Sequence, residues 1–382
     1  MNNFSFKNPT KVVFGKNQIA ALSKYISKDS KILLTYGGGS IFKNGVHKQV
    51  VEALEGYDYI EFGGIEANPD YTTLMQAVEL CKREKIDFLL AVGGGSIIDG
   101  TKFIGAATLY DGDPWDFLVN GVAIKKSLPL AVVLTLPATG SEMNPNAVIS
   151  RREKNEKFAF ASPCSYPQFS ILDPEVIYSL PQRQVANGLI DTFAHTLEQY
   201  LTNNQDTMVM DRFAEGVLQT LIEIAPKIME ERTYDRCANF MIAATMGLNG
   251  FLEWGVDQDW ATHGIGHELT ALHGLDHGHT LAIVYPGVMR IMREEKKFKL
   301  LRYAERVWNI TAGSDDEKID KAIAKTEDFF VSLGKKIKLS ENNIGEDTIN
   351  EIVKRFTERK SLLGEHGIVT PQKVRHILES VK

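Results

Sequence analysis

Asp87-Phe-Leu-Leu-Ala-Val92 runs directly into Gly93-Gly-Gly-Ser96-Ile-Ile-Asp99-Gly-Thr-Lys102. A short apolar run stopped by glycine reads as a strand covered on both faces. The residues after the glycines read as the start of a helix. Lys31-Ile-Leu-Leu-Thr-Tyr36 repeats the arrangement and ends in Gly37-Gly-Gly-Ser40. A third strand, Leu128-Pro-Leu-Ala-Val-Val-Leu-Thr135, closes in Leu136-Pro-Ala-Thr139-Gly140-Ser141-Glu142. Between the first two, Tyr71 to Glu84 sets Leu74, Ala77, Val78 and Cys81 at helical spacing. Strand, glycine turn, helix and strand in succession predict a parallel α/β sheet.

After Leu180-Pro181 the pattern changes. Val185 to Leu201, Thr207 to Met229 and Arg236 to Leu252 read as long helices, followed by amphipathic stretches near Lys297 to Val307, Asp315 to Leu333 and Thr348 to Arg359. Ala282-Ile-Val-Tyr285, ahead of Pro286, is the one weak strand candidate there. The fold expected is therefore an α/β nucleotide-binding domain with a parallel sheet over residues 1–180, followed by an all-helical metal-binding and catalytic domain over 181–382. No internal repeat or low-complexity tract interrupts either part.

A chain of 382 residues is long enough for roughly two cores. Its net charge of -6, with both signs interspersed, offers no basic face to nucleic acid and points to a small-molecule substrate. Cys81, Cys164 and Cys237 lie far apart and suit buried thiols in a reducing cytoplasm. Met1-Asn-Asn-Phe-Ser-Phe-Lys7 lacks the apolar stretch of a signal peptide, and no segment approaches about 18 uninterrupted apolar residues, so neither secretion nor a membrane span is expected.

Glycines at a strand's carboxyl end let main-chain N–H groups approach a phosphate, and a following helix start adds a favourable dipole. Three such turns at the ends of parallel strands predict a dinucleotide crevice. The spacing is not G-x-G-x-x-G, so that fingerprint is not claimed. The acidic residue that normally meets an adenosine ribose is missing after Tyr36; Gly38, Gly39, Ser40 and Lys43 stand there instead. A hydroxyl and an ammonium attract a 2′-phosphate that a carboxylate would repel, so NADP(H) is expected over NAD(H). Glu61, after another apolar run, is the acid that could fold back toward this site.

The chain has nine histidines, and five of them, His263, His267, His273, His277 and His279, fall in one short stretch. Asp191 and His195 stand four residues apart, as do His263 and His267, so each pair shares a helix face. His277 is expected in a turn, Gly274-Leu-Asp-His277-Gly278, past a glycine helix stop. A carboxylate with imidazoles suits zinc or ferrous iron, but there are more histidines than such a site needs, and spacing does not choose among them. Beside a nicotinamide, a metal would act as Lewis acid on an aldehyde, with a spare histidine to move the proton. Phe158, Phe251, Trp254 and Trp260 are candidates for an apolar substrate wall or for plain core.

Taken together, Gly93-Gly-Gly-Ser-Ile-Ile-Asp99, Leu136-Pro-Ala-Thr-Gly-Ser-Glu142, Asp191-x-x-x-His195 and His263-x-x-x-His267 with His277-Gly278 resemble the iron-containing (group III) alcohol dehydrogenase family, in its NADPH-dependent aldehyde reductase and butanol dehydrogenase branch. The resemblance covers nearly the whole chain, from Lys11-Val-Val-Phe-Gly15 onward. It implies that Asp191, His195, His263 and His277 bind the metal, Fe2+ or Zn2+, and that His267 lies close to the nicotinamide and serves the proton relay. It also implies a cofactor site lined by Asn68, Gly94, Gly95, Ser96, Asp99, Thr135, Thr139, Asn146, Val148 and Lys157. Gly38, Ser40 and Lys43 match the NADP-preferring branch. A homodimer, joined near Val12 to Phe14, is implied, with small aldehydes and primary alcohols such as butanal and butanol as substrates. His273 and His279 match no ligand position. The wider superfamily also contains polyol dehydrogenases and a sugar-phosphate lyase; a lyase of that kind would need a basic pocket, and no dense basic cluster surrounds the metal motifs.

Overall fold

The computed structural model describes residues 1–202 and 206–382. It divides into two compact units, one made of residues 7–181 and 232–249, the other of 1–6, 182–231 and 250–382. The chain passes between them at Pro181, and residues 232–249, carrying a helix that the sequence groups with the C-terminal half, pack with the α/β unit.

The α/β unit is built on six parallel strands: β1 (Lys11–Phe14), β2 (Lys31–Tyr36), β3 (Asp58–Phe62), β4 (Phe88–Gly94), β5 (Leu130–Leu136) and β8 (Phe169–Leu172), in the order β1-β8-β5-β4-β2-β3. Central β4 and β5 are apolar except for Thr135 and buried except for the last residue of each, as strands covered on both faces must be. The helices of the crossovers are α1 (Ser40–Lys43), α2 (Val46–Ala53), α3 (Tyr71–Glu84), α4 (Gly95–Thr108) and α5 (Asp116–Val119). Helix α3 buries Leu74, Ala77, Val78 and Cys81, the stripe its spacing predicts. From β2 the chain moves outward to β3, and from β4 it moves the other way to β5. Neighbouring β2 and β4 therefore form the switch point, and their glycine turns lie together at its carboxyl end.

An antiparallel hairpin, β6 (Asn146–Arg151) with β7 (Glu156–Ala161), completes this unit and was not foreseen as strands. Helix α8 (Tyr234–Gly247) also belongs here and ends several residues before Leu252.

The other unit is helical: α6 (Gln182–Tyr200), α7 (Met208–Glu230), α9 (Ala261–His273), α10 (His277–Ile291), α11 (Lys297–Arg306), α12 (Asp315–Ser332), α13 (Glu346–Glu358) and α14 (Pro371–Ser380). Two expectations are corrected. Ala282 to Tyr285 is not a strand but the fully buried middle of α10; a four-residue apolar run cannot tell a strand from a helix hidden on every side. His277 is not in the turn but is the first residue of α10, after Asp276. Gly274, at φ 67°, ends α9 as expected, and the link is so short that the next helix begins three residues later. Among the described residues no helix is long and apolar enough to cross a membrane.

Candidate metal centre and nucleotide cradle

Helix α6 is buried along most of its length, and Asn187, Asp191, His195 and Glu198 recur on one face at helical spacing. From that stripe Asp191 and His195 meet His263, on the first turn of α9, and His277, at the head of α10. One donor atom from each of the four lies within 4.8 Å of all the others. Asp191 Oδ1 stands 3.7 Å from His195 Nε2, 3.9 Å from His263 Nε2 and 3.6 Å from His277 Nε2. Three imidazole nitrogens converging on one carboxylate oxygen, in a place nearly closed to water, is a donor set that fits zinc or ferrous iron.

His267 has the same helical phase relative to His263 as His195 has to Asp191, yet it is outside the group of four. Its half-buried ring stands beside them, 6.3 Å from that of His263 and 5.3 Å from that of His277, centre to centre. His273 bonds Thr348 at 2.9 Å, and His279 donates to the Lys336 carbonyl at 2.9 Å, so each has its own partner on the exposed side. Of the four aromatic wall candidates, Trp260 lies against His195 and His263. Phe251 and Trp254 pack together and onto Phe4 and Phe6, and Phe158 faces Trp115 in the other unit.

The four candidate ligands are held by further neighbours. Glu198 bonds His263 Nδ1. Asn187 Nδ2 donates to Asp276 at 2.8 Å, just before His277, and Lys335 donates to the Asn187 side-chain oxygen. A side chain at Gly278 would meet the Asn187 carbonyl oxygen at 2.5 Å, so α10 starts hard against α6. Burial and the charge of Asp259 push the Glu198 carboxyl upward, but its two oxygens face the N–H groups of Thr262 and His263 and the His263 ring nitrogen, and donors on both oxygens favour the carboxylate over the acid. For Asp259 burial pushes upward too, but Lys296, the bond to Glu365 and the Ala261 N–H together hold the carboxyl low.

In the α/β unit the three glycine-bearing turns sit at the carboxyl ends of β2, β4 and β5. Gly38 and Gly39 end the loop after β2; Gly39, at φ 91°, leads into exposed Ser40 and Lys43 on α1. Glu61, on β3 beside β2, does turn back toward this end, but its carboxylate is 3.1 Å from His47 Nε2 and also meets the Tyr36 hydroxyl. After β4, a side chain at Gly94 would run into Leu136 at 2.9 Å, and one at Gly95 into Thr139 at 2.6 Å. These glycines, Gly94 half-buried and Gly95 buried, keep the β4 and β5 turns in close contact.

Ser96 Oγ accepts the Asn68 N–H at 3.1 Å, and Asn68 Oδ1 accepts from Lys157 at 2.9 Å. Asp99 accepts from Ser141 at 2.6 Å and from the Val148 N–H at 2.9 Å, tying α4 to β6, on which Asn146 also lies. Thr135 is buried near the end of β5. Beneath Asp99, fully buried Lys102 donates to Ser141, Asn144 and the Asn146 carbonyl. Burial pushes Lys102 down to about 8 and Asp99 upward, each against the other's charge. The hydrogen bonds, accepted by Asp99 and donated by Lys102, favour an ion pair. Lys102 is three residues from Asp99 on the same helix, and that spacing is the one local signal of the pair.

Comparison with known proteins agrees with both halves. A family profile described as iron-containing alcohol dehydrogenase matches residues 9–174, and one for the C-terminal part of the Fe-containing alcohol dehydrogenase family matches residues 185–381. The NADPH-dependent aldehyde reductase YqhD of Escherichia coli is 53% identical, with all of both chains covered. NADH-dependent butanol dehydrogenase A of Clostridium acetobutylicum is 38% identical over 100% of this chain and 99% of its own. The crystal structure of the E. coli protein superposes with a TM-score of 0.98 over 100% of this chain and 99% of that one. That of a Thermotoga maritima NADH-dependent butanol dehydrogenase A, 36% identical, gives 0.96 with the same coverage.

Proposed function

Because the chain belongs to the iron-containing alcohol dehydrogenase family, we propose that it is a metal-dependent, NADP(H)-linked alcohol dehydrogenase and aldehyde reductase acting on small aliphatic aldehydes and primary alcohols such as butanal and butanol. The observation that carries this reading is the meeting of Asp191, His195, His263 and His277 in one group. A divalent ion held there, Fe2+ or Zn2+, supplies Lewis acidity toward a carbonyl oxygen, and NADP(H) supplies or takes the hydride.

The remaining work falls to the chain. Asp191 brings the negative charge that offsets part of the ion's, and the three imidazoles complete its grip. His267, beside two of them and not in the group, gives or takes the proton exchanged by the alcohol hydroxyl. The α/β unit, residues 7–181 with 232–249, acts as the nucleotide domain, and the helical unit as the metal domain. Gly38, Gly39, Ser40 and Lys43 receive the 2′-phosphate; Asn68, Gly94, Gly95, Ser96, Asp99, Thr135, Thr139, Asn146, Val148 and Lys157 line the rest of the cofactor. Relatives of both cofactor habits exist, NADPH at 53% identity and NADH at 38%; the hydroxyl and ammonium after β2 favour the first. Strand β1 is the edge of its sheet and offers a row of main-chain groups to a second copy, which supports a homodimer. The cysteines are unpaired with one another, as suits the cytoplasm.

The test is consumption of NADPH, and separately of NADH, with a series of short aldehydes after the metal has been restored. NADPH-dependent reduction with KM values of about 1 μM to 1 mM is expected. Absence of turnover across the whole series overturns the activity; a preference for NADH overturns the cofactor assignment alone. Light scattering in solution decides the dimer.

A further inference from the structure

Glu198 is completely buried, one turn beyond His195 on α6, and lies outside the group of four. Its two carboxylate oxygens do different things. Oε1 accepts the N–H of Thr262 at 2.6 Å and that of His263 at 3.3 Å; Oε2 bonds Nδ1 of the His263 ring. Helix α9 starts from Trp260, which sits at φ 60° and gives no side-chain cap. The first N–H groups of a helix need acceptors, and here they come from carboxylates outside it: Asp259 takes Ala261 at 2.7 Å, and Glu198 takes the next two. The arrangement is backed from behind, because the Asp259 N–H donates to the Glu198 carbonyl at 2.9 Å and Lys296 pairs with both Asp259 and Glu365.

We propose that Glu198 is the positioning residue of the metal centre, fixing His263 by main chain and ring at once. A neutral imidazole carries one N–H, and only its other nitrogen can bind an ion. With Oε2 accepting the Nδ1 proton, the Nε2 lone pair is left toward Asp191, 3.9 Å away. With Oε1 on the Thr262 and His263 N–H groups, the helix turn bearing that ring cannot slide along α6. A plain helix cap explains Oε1 but gives no account of Oε2. The inference rests on the reading of the four residues as a metal site.

Glu198→Gln separates the two roles. Its single oxygen can stay on the Thr262 N–H, which turns an NH2 toward His263 Nδ1 and favours the tautomer that cannot bind an ion. We expect Co2+ affinity, measured by chelator competition on the full-length protein, to fall about 10- to 100-fold. The visible absorption of the bound cobalt should change, while the metal-free variant keeps the circular dichroism of the metal-free parent. Parent-like affinity and spectrum in a folded variant overturn the proposal and leave Glu198 a helix cap. If the variant does not fold, the zinc-loaded parent decides by NMR: a low-field proton on His263 Nδ1 supports the proposal, and a ring without it overturns it. If the parent itself binds no Co2+, the metal reading falls and this inference with it, a result distinct from equal binding by parent and variant.

Discussion

The α/β unit and the helical unit offer different atoms to a ligand. At the ends of β4 and β5, Gly94 and Gly95 present main chain without a side chain, and Leu136 and Thr139 fill the space where one would stand. On α6, α9 and α10 the main chain is used up in helices, and the candidate donors are side chains, Asp191, His195, His263 and His277. Phosphate is recognised by N–H groups that need room to approach; a metal ion needs atoms held at fixed directions. One unit should therefore suffer most when atoms are added and the other when atoms are taken away.

The strongest test of that contrast is Asp191→Ala. Divalent metal affinity should fall by more than about 100-fold, beyond the cost of losing an outer hydrogen-bond partner, and aldehyde reduction should vanish while NADPH binding, followed by its fluorescence, is unchanged. A parallel loss of nucleotide affinity would break the division between units. Lys102→Met probes the exception, a buried charge beneath the nucleotide turns. Leaving Asp99 and Glu142 without their cation should cost about 3–5 kcal/mol in urea unfolding, and a cost under about 1 kcal/mol would mean the α/β unit owes nothing to its buried pair.

Removal of metal comes next. An ion present at a hundredfold its Kd adds about 2.7 kcal/mol to stability, so chelation should lower Tm and speed amide exchange over 187–198 and 261–279; faster exchange over 31–40 would count against a division of labour. Smaller effects come from paired glycine substitutions, each about 1–3 kcal/mol from overpacking. Gly95→Ala should weaken NADPH binding by pressing on Thr139, and Gly278→Ala should weaken metal binding by pushing α10 off Asn187. Titration calorimetry of both ligands on both variants checks the crossing. The least effect belongs to Lys43→Ala. An exposed ion pair contributes up to about 1 kcal/mol, so NADPH affinity should drop about fivefold with NADH affinity unmoved.

Much of the α/β unit could be read from local signals because it is assembled from them. The strand Lys31–Tyr36 and the helix Tyr71–Glu84 have the bounds their patterns predict, since an apolar run and its glycine stop are neighbours in the chain. The hairpin Asn146–Ala161 was missed as strands; its residues stood out as cofactor lining implied by the family resemblance, and Phe158 as a candidate wall residue. In the helical unit the helices were legible by period, but Ala282–Tyr285 misled because burial on every side erases the period. Asn187 and Glu198 continue the Asp191 and His195 stripe and were open to notice. Nothing local marked their partners, which lie 89 and 65 residues away.

From the sequence alone came the alternation of strand and helix, the glycines at the strand ends, and the surplus of histidines around one aspartate. These are local properties: the chemistry of neighbouring residues sets them before any contact forms. His263 and His267, one helical turn apart, were equivalent by spacing; the family resemblance, and not the spacing, told them apart. Only the packing of α9 against α6 brings the first into the group with Asp191 and leaves the second beside it, and only the closeness of α10 to Asn187 brings in His277. A ligand set is a meeting of distant segments, and the energies that decide it, burial, caps and carboxylate–imidazole bonds, exist once the helices are in place.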